Sequence, residues 1–396
     1  MAPTPTKYIL LSLPLSTFDT GDRREALESL KATINPENGT ILPFAVPDLK
    51  IGSLDALVQQ ADDLAKLGNA CDGVVNKVGE SLRALYGGND DMASQQKMVN
   101  DKPTDQYLRT FRWNKVRYRA DRPVGELVDI LQKELATIDN DVKGKFNQYN
   151  QVKTNLAALQ RKQTGNLATK SLTPIVNPSL LVKDSEYLET HLVAVPTNLK
   201  KEFLRSYETL SPMVVPRSST QVAQDDEFVL FAVTTFKKHS AEFQQKCRDQ
   251  KWTPRPYKYV EGGKEEERKE LDRVERDEKK LWGEALRLTR TGWSESVMIW
   301  AHVLALRVFV ESVLRYGLPL EFVSAIVLTN AKLAKKVRTA LDASYSYLGG
   351  NAFGRDKRGR ITKDDAALTS EMAAAGLGHA AEGHEYTAYV YYEFEL

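Results

Sequence analysis

The sequence predicts an α+β, helix-rich protein shaped as an elongated dumbbell, with two globular ends joined by a neck of two antiparallel helices. Residues 123–164 and 264–294 carry apolar side chains three and four positions apart, which is typical of paired helices. Residues 165–263, between them, alternate strand and helix signals and form a small α/β head. Strand and helix signals also occupy residues 1–122 and 295–396, which we expect to form one α/β foot from both chain ends.

Composition excludes several classes of protein. The 396 residues suffice for two or three domains, and 42% of them are hydrophobic. The formal net charge of +2 is too small to indicate binding to nucleic acid or to an anionic membrane surface. Cys71 and Cys247 are the only cysteines and lack CxxC spacing, which excludes a disulfide framework and suits a reducing cytosol.

The longest apolar run, Val297 to Leu314, is about as long as a membrane span. It contains His302, Arg307 and Glu311, and a charge at a bilayer centre costs about 2.5–3.5 kcal/mol. A buried core helix is therefore the favoured interpretation, and we expect no direct insertion into a membrane. The short apolar run near the N-terminus is broken by proline and predicts a strand instead of a signal peptide.

The N-terminal part contains two strand-like segments and two helices. Its elements are a strand at 7–15, a helix at 21–34, an extended segment at 44–51 and a long helix at 53–86 running towards the neck. Ser53 is the expected N-cap of the long helix. The glycines of GGND at 87–90 end it, and a polar loop is expected through Pro103.

Residues 111–119, FRWNKVRYR, place aromatic side chains among four basic ones. Such interleaving can mark a nucleic-acid surface. We favour a strand or sheet edge whose aromatic rings reach the core while the Arg and Lys stems lie across the surface, because the rest of the chain is not basic.

The outgoing neck helix has the longest periodic pattern in the sequence. Pro123 suits its first turn. The apolar seam of this helix includes Leu131, Leu135, Ile138, Val142 and Leu156. A straight helix of this length would span about 55–60 Å.

The return helix begins with residues 264–290, where nine acidic and nine basic residues surround a narrow apolar seam. The seam includes Leu271, Val274 and Leu281, and Glu278 interrupts it. A seam this narrow buries too little surface to stand alone, so this helix needs a partner. The outgoing helix is the expected partner, and Glu278 marks either a bend or the point where the two helices separate.

The head and the C-terminal part are predicted from shorter signals. In the head we expect strands at 188–195 and 228–236 and helices at 196–210 and 237–250. In the C-terminal part we expect a strand at 322–328, a helix at 331–341 and a strand at 386–394.

Candidate chemistry is sparse. LGGNAFGRD at 348–356 has the glycine spacing of a phosphate-binding loop, but Arg355 and Asp356 replace the Lys and the Ser or Thr that such a loop needs. His379, Glu382 and His384 lie in a Gly- and Ala-rich stretch that favours a surface loop over a metal site. We therefore expect no catalytic residue, cofactor or metal.

Long strings in chain order resemble the C subunit of the vacuolar-type proton ATPase. They are FAVPDLKIGSLDALV at 44–58, YNQVKTNLAALQRKQTGNL at 149–167, LVAVPTNLKKEFLRSYETLSPMVVPRSS at 192–219, QDDEFVLFAVTTFKKHSAEF at 224–243, ALRVFVESVLRYGLP at 305–319 and YLGGNAFGRDKRGRITKDD at 347–365. Residues 87–102, 261–267 and 366–385 do not resemble the strings that the family shares, and nothing is carried over onto them.

This resemblance implies a non-catalytic stator component at the cytosolic face of endomembranes. It implies a head that grips a peripheral stalk made of the E and G subunits, and a foot that meets a second E/G stalk and the cytosolic N-terminal domain of the membrane-bound a subunit. It also implies release of the protein when the pump reversibly disassembles, and some members are described as binding actin.

Two other functions stay open from the sequence. A cytoskeletal adaptor that binds actin would use the same dumbbell, and a nucleotide-dependent enzyme would depend on the loop at Gly349 and Gly354. For the head of a stator component, Lys200, Lys201 and Arg205 are the candidate partner contacts, although a plain solvated helix face explains them as well.

Overall fold

The computed structural model describes residues 6–18, 21–318, 321–352 and 387–395. These residues belong to two compact units, Met1–Gly144 with Leu286–Leu396, and Lys145–Ala285. The described strands are β1 (Thr6–Pro14), β2 (Thr40–Pro43), β3 (Met98–Val99), β4 (Lys102–Pro103), β5 (Leu188–Pro196), β6 (Thr220–Gln224), β7 (Phe228–Phe236), β8 (Thr253–Arg255), β9 (Phe322–Asn330) and β10 (Val390–Glu395). The described helices are α1 (Arg23–Ile34), α2 (Leu54–Leu85), α3 (Asp90–Gln95), α4 (Thr104–Arg109), α5 (Val124–Thr164), α6 (Lys200–Ser206), α7 (Ser240–Asp249), α8 (Gly263–Tyr316) and α9 (Ala331–Tyr345).

The first unit is built around an antiparallel sheet with the strand order β10-β1-β9-β2. Side chains alternate across β1, so Tyr8 and Leu10 face one hydrophobic core and Ile9 and Leu11 face another. Helices α1 and α9 cover the second core, and α2, α5 and α8 contribute to the first. Because both faces are covered, β1 reads as a continuous apolar run.

The second unit contains another antiparallel sheet, with the strand order β6-β7-β5-β8. Phe203 from α6, Phe243 from α7 and Trp252 pack on one face. Leu167, Leu172 and other side chains of the segment after α5 cover the opposite face. That segment, although it forms neither an α-helix nor a strand, is therefore part of the core.

The strongest sequence patterns are confirmed. The long helix predicted at 53–86 is α2, and the Ser53 hydroxyl accepts a hydrogen bond from the Ala56 amide at 3.3 Å, as expected for an N-cap. The strands predicted at 7–15, 188–195, 228–236 and 322–328 are β1, β5, β7 and β9. The charged stretch 264–290 continues without interruption into the apolar run as α8.

Both globular parts were predicted as α/β, and the antiparallel sheets show that each is α+β instead. In the second unit the polar strand β6, which the sequence did not reveal, precedes β7 and pairs with it. In the first unit the short strand β2 lies in a stretch expected to be only turns.

Three local predictions are wrong. The polar loop expected at 87–103 contains α3, which Asn89 caps by accepting a hydrogen bond from the Met92 amide at 3.1 Å. The helix expected at 196–210 is interrupted, with 3-10 turns on both sides of the short α6. Residues 111–119 form turns instead of a strand, because their aromatic side chains reach the core individually.

Candidate functional site

The three predicted contact residues lie on α6 in the second unit. Phe203 anchors this short helix, with its ring stacked on Phe231 at 4.7 Å between centroids. Lys201 and Arg205 are consequently exposed, and Leu204 between them is 44% exposed. Lys200 is held closer to the sheet, because its ammonium group donates to Gln221 Oε1 at 2.8 Å. The surface available to a partner is therefore Lys201, Leu204 and Arg205, two cations flanking one apolar side chain.

In the first unit, the predicted seam of α5 is largely buried. Leu131, Leu135 and Val142 are buried, and Ile138 is half-buried against the same core. The seam faces two helices instead of one, since a Cβ added at Gly292 of α8 would lie 2.6 Å from Val142 Cγ2 and 3.8 Å from Val78 Cγ1 of α2. Gly292 thus permits a close approach among three helices.

In the second unit, α5 and α8 pair antiparallel through polar contacts. Lys145 forms an ion pair with Glu284 at 3.1 Å, and Tyr149, four residues further along α5, lies against Glu278 of α8. The predicted seam residues Leu156, Leu271, Val274 and Leu281 are all half-buried. The apolar seam is therefore thin in this unit, and polar pairs share in holding the helices together.

Glu278, which interrupts the predicted seam, has a specific neighbour. Burial raises the pKa of Tyr149, and the charge of the Glu278 carboxylate and a hydrogen bond to it raise that pKa further. The Tyr149 hydroxyl therefore keeps its proton and donates it to the carboxylate. Glu278 is a polar contact across the pair at this point, which is neither of the two explanations offered by the sequence.

Two histidines that the sequence left as scattered are buried in polar contacts. His191 lies beside Ser240 Oγ at 2.6 Å and Glu189 Oε1 at 3.2 Å, a set of groups found in serine hydrolases. Both neighbours approach the same Nε2 atom, whereas a catalytic triad needs the acid on Nδ1. This cluster therefore ties α7 to β5, and burial lowers the pKa of His191 despite the opposing charge of Glu189.

His302 of α8 holds the aromatic segment 111–119. Its Nδ1 donates to the Met298 carbonyl at 2.7 Å, and its Nε2 accepts a hydrogen bond from the Asn114 amide at 3.0 Å. Burial lowers the pKa of His302 to about 4. The neutral ring thus acts as a fixed connector between α8 and the segment.

Arg117 provides a second attachment for the same segment. Its guanidinium group binds Glu295 of α8 at 2.5 Å and Glu134 of α5 at 3.0 Å. Val116 beside it is 94% exposed. The basic residues here thus serve internal ion pairs, which supports the structural interpretation over a nucleic-acid surface.

The remaining candidates for chemistry are limited. Among the described residues, no group of three His, Cys, Asp or Glu side chains is arranged to hold a metal ion. Residues 348–352 of the glycine loop lie in a 3-10 helix, while the rest of that loop and the set His379, Glu382 and His384 lie outside the described residues. In the described part of the chain, only α8 is long and apolar enough to cross a membrane, and 89% of its most apolar window is buried inside the protein, which supports the core-helix interpretation.

The fold and these contacts define a helix-rich α+β protein built on two antiparallel sheets and two very long helices. The profile of the family described as the V-ATPase C subunit matches residues 8–390, and the chain belongs to this family.

Relatives with this name match along most of the chain. The V-type proton ATPase C subunit of Saccharomyces cerevisiae is 38% identical over 366 residues, covering 92% of this chain and 93% of the relative. The form of the V-type proton ATPase C subunit numbered 1 in Xenopus laevis is 36% identical over 394 residues, covering 98% of both. A crystal structure of the cytoplasmic N-terminal domain of the V-ATPase I subunit, which is homologous to the a subunit, covers 86% of this chain and 96% of its own at 12% identity, but its TM-score of 0.31 is too low to support an argument.

Proposed function

We propose that this chain is a non-catalytic stator component of a vacuolar-type proton ATPase, on the cytosolic face of an endomembrane. In this proposal residues 165–263 form a head that grips a stalk of the E and G subunits. Residues 123–164 and 264–294 form the neck, and residues 1–122 and 295–396 form a foot that meets a second E/G stalk and the N-terminal domain of the a subunit. The chain would link the ATP-hydrolysing sector to the proton channel and leave the pump when it disassembles.

Family membership along residues 8–390 is the main support. The structural observation that carries the mechanical part is α8, one helix of 54 residues that contributes to both compact units. A helix of that length spans about 80 Å. A single solvated helix would bend and fray, and the contacts of Lys145 and Tyr149 with α8 oppose this in the second unit.

The head contact is tested with the full chain and a purified E/G heterodimer by calorimetry. The double variant Lys201→Glu with Arg205→Glu is expected to weaken binding about tenfold, which corresponds to about 1.4 kcal/mol, and to reduce its salt dependence. Lys336→Glu, an exposed charge reversal on α9 of the first unit, is the matched control and should bind normally.

Two outcomes would count against this proposal. Absence of binding by the folded wild-type chain would remove the stator role. Normal binding by the double variant would remove α6 from the contact surface while leaving the stator role in place. Co-sedimentation with actin, combined with normal vacuolar acidification after deletion of the chain, would favour the cytoskeletal adaptor.

A further inference from the structure

We propose that Thr173 is a phosphorylation site for a proline-directed protein kinase, and that the phosphate loosens the surrounding segment from α8. Thr173 follows Ser171 and Leu172 in the second unit and immediately precedes Pro174. A hydroxyl residue followed by proline is the minimal feature that such kinases read. The proposal rests on how this site is attached and does not depend on the stator role.

One carboxylate holds the segment onto the beginning of α8. Glu267 accepts hydrogen bonds from the Ser171 hydroxyl at 2.9 and 2.8 Å and from the Thr173 hydroxyl at 2.8 Å. Leu172 between them is buried in the core under the sheet. Thr173 also packs closely on α8, since a Cβ added at Gly263 would lie 3.3 Å from its methyl group.

Among the described residues, Thr173 is the Ser/Thr-Pro site best placed for a kinase. Ser211, which precedes Pro212, is only 4% exposed. Thr253, which precedes Pro254, lies in β8 and pairs with Ala194. Thr173 lies in a turn outside helices and strands, with a half-buried side chain and an exposed Pro174 after it.

In the modification, Thr173 Oγ1 attacks the γ-phosphorus of ATP and forms a new P–O bond. The bond between that phosphorus and the β–γ bridging oxygen breaks, ADP leaves with the electron pair, and a base of the kinase takes the hydroxyl proton. The product carries a charge of about −1.5 to −2 and can no longer donate a hydrogen bond to Glu267. The two neighbouring anions then repel each other.

The same segment is attached separately to the sheet, which gives the effect a location. Arg255 donates to the carbonyl groups of Leu167 at 2.5 Å and Lys170 at 2.6 Å. Asp225 accepts a hydrogen bond from the Leu167 amide at 2.6 Å. Phosphorylation should therefore release the segment from α8 while its contacts with the sheet persist.

The site is tested by treating the full chain with a purified proline-directed kinase and ATP and mapping the phosphate by mass spectrometry. We expect one phosphate on Thr173, lost in Thr173→Ala and retained in Ser211→Ala and Thr253→Ala. Thr173→Ala should remain folded because Ser171 still binds Glu267. A peptide covering residues 165–180 reports that the kinase is active. Phosphorylation of the peptide without phosphorylation of Thr173 in the chain would overturn the proposal.

The structural effect is measured by hydrogen exchange on the phosphorylated chain. Amides in the first turns of α8 should exchange about tenfold faster, with no change at the Leu167 amide. In a Glu267→Gln background the acceleration should fall below about threefold, because the phosphate then faces a neutral amide. Unchanged exchange in the phosphorylated wild type would overturn the loosening. Slower exchange, as expected if Lys264 or Arg268 bound the phosphate, would overturn it as well.

Discussion

Gly292→Ala tests the close approach of helices in the first unit. A Cβ at Gly292 would lie 2.6 Å from Val142 Cγ2 and 3.6 Å from Ile138 Cγ2. Carbon atoms in contact normally lie about 3.5–4.0 Å apart, so Val142 would have to move by about 1 Å. Overpacking of this kind costs about 1–3 kcal/mol.

Helix propensity acts in the opposite direction, and a matched control removes it. Replacing a helical glycine by alanine stabilises an exposed helix interior by about 0.8–1.0 kcal/mol. Gly144 of α5 lies in the same unit, and a Cβ there would meet no heavy atom within 4 Å. Gly144→Ala should therefore stabilise the protein, and the difference between the two variants, about 1–3 kcal/mol, isolates the close contact.

The assay is urea unfolding followed by far-UV circular dichroism and by tryptophan fluorescence, since buried Trp293 adjoins Gly292. Val142→Ala should cost less in the Gly292→Ala background than in the wild type, because it removes the clashing methyl group. Equal unfolding free energies for Gly292→Ala and Gly144→Ala would refute the reasoning.

Three further predictions concern polar and apolar contacts. Tyr149→Phe should lower the unfolding free energy by about 1 kcal/mol by removing the hydrogen bond to Glu278, and Glu278→Leu should recover the loss; no recovery would mean that Tyr149 acts through packing alone. Burial holds the pKa of His302 at about 4, below its ordinary value of 6.5, so the unfolding free energy should fall by about 3 kcal/mol as pH drops from 6.5 to 4, and His302→Gln should lose that dependence in pH-resolved urea titrations. Leu281→Asp should cost about 1 kcal/mol and Val142→Asp several-fold more, because Leu281 is half-buried and Val142 is buried; similar losses in unfolding free energy would contradict this order.

Long periodic patterns were the most predictable part of the fold. The seam of α5 repeats over many turns, and Leu131, Leu135 and Val142 are buried because the period alone selects one helix face. The strands β2 and β6 were missed because each is short and pairs on one side only. Edge strands of this kind need not be apolar, so their alternation is weak.

Contacts between distant residues could not be read from the sequence. The pattern of 111–119 suits a strand, and what prevents one is the attachment of Asn114 to His302, 188 residues away. Tyr149 and Glu278 were each visible as seam positions, but their pairing depends on the register between α5 and α8. The third helix at Gly292 was hidden for the same reason, since no local signal shows which faces meet.

The position of β1 has a consequence for the synthesis of the protein. This strand is made first, yet its neighbours in the sheet are β9 and β10, and Ser12 contacts Ser312 across 300 residues of chain. The sheet of the second unit takes all its strands from residues 188–255 and can close while translation continues. The first unit must keep an apolar strand unpaired until the ribosome has nearly finished, so nascent chains depend on chaperones mainly for β1.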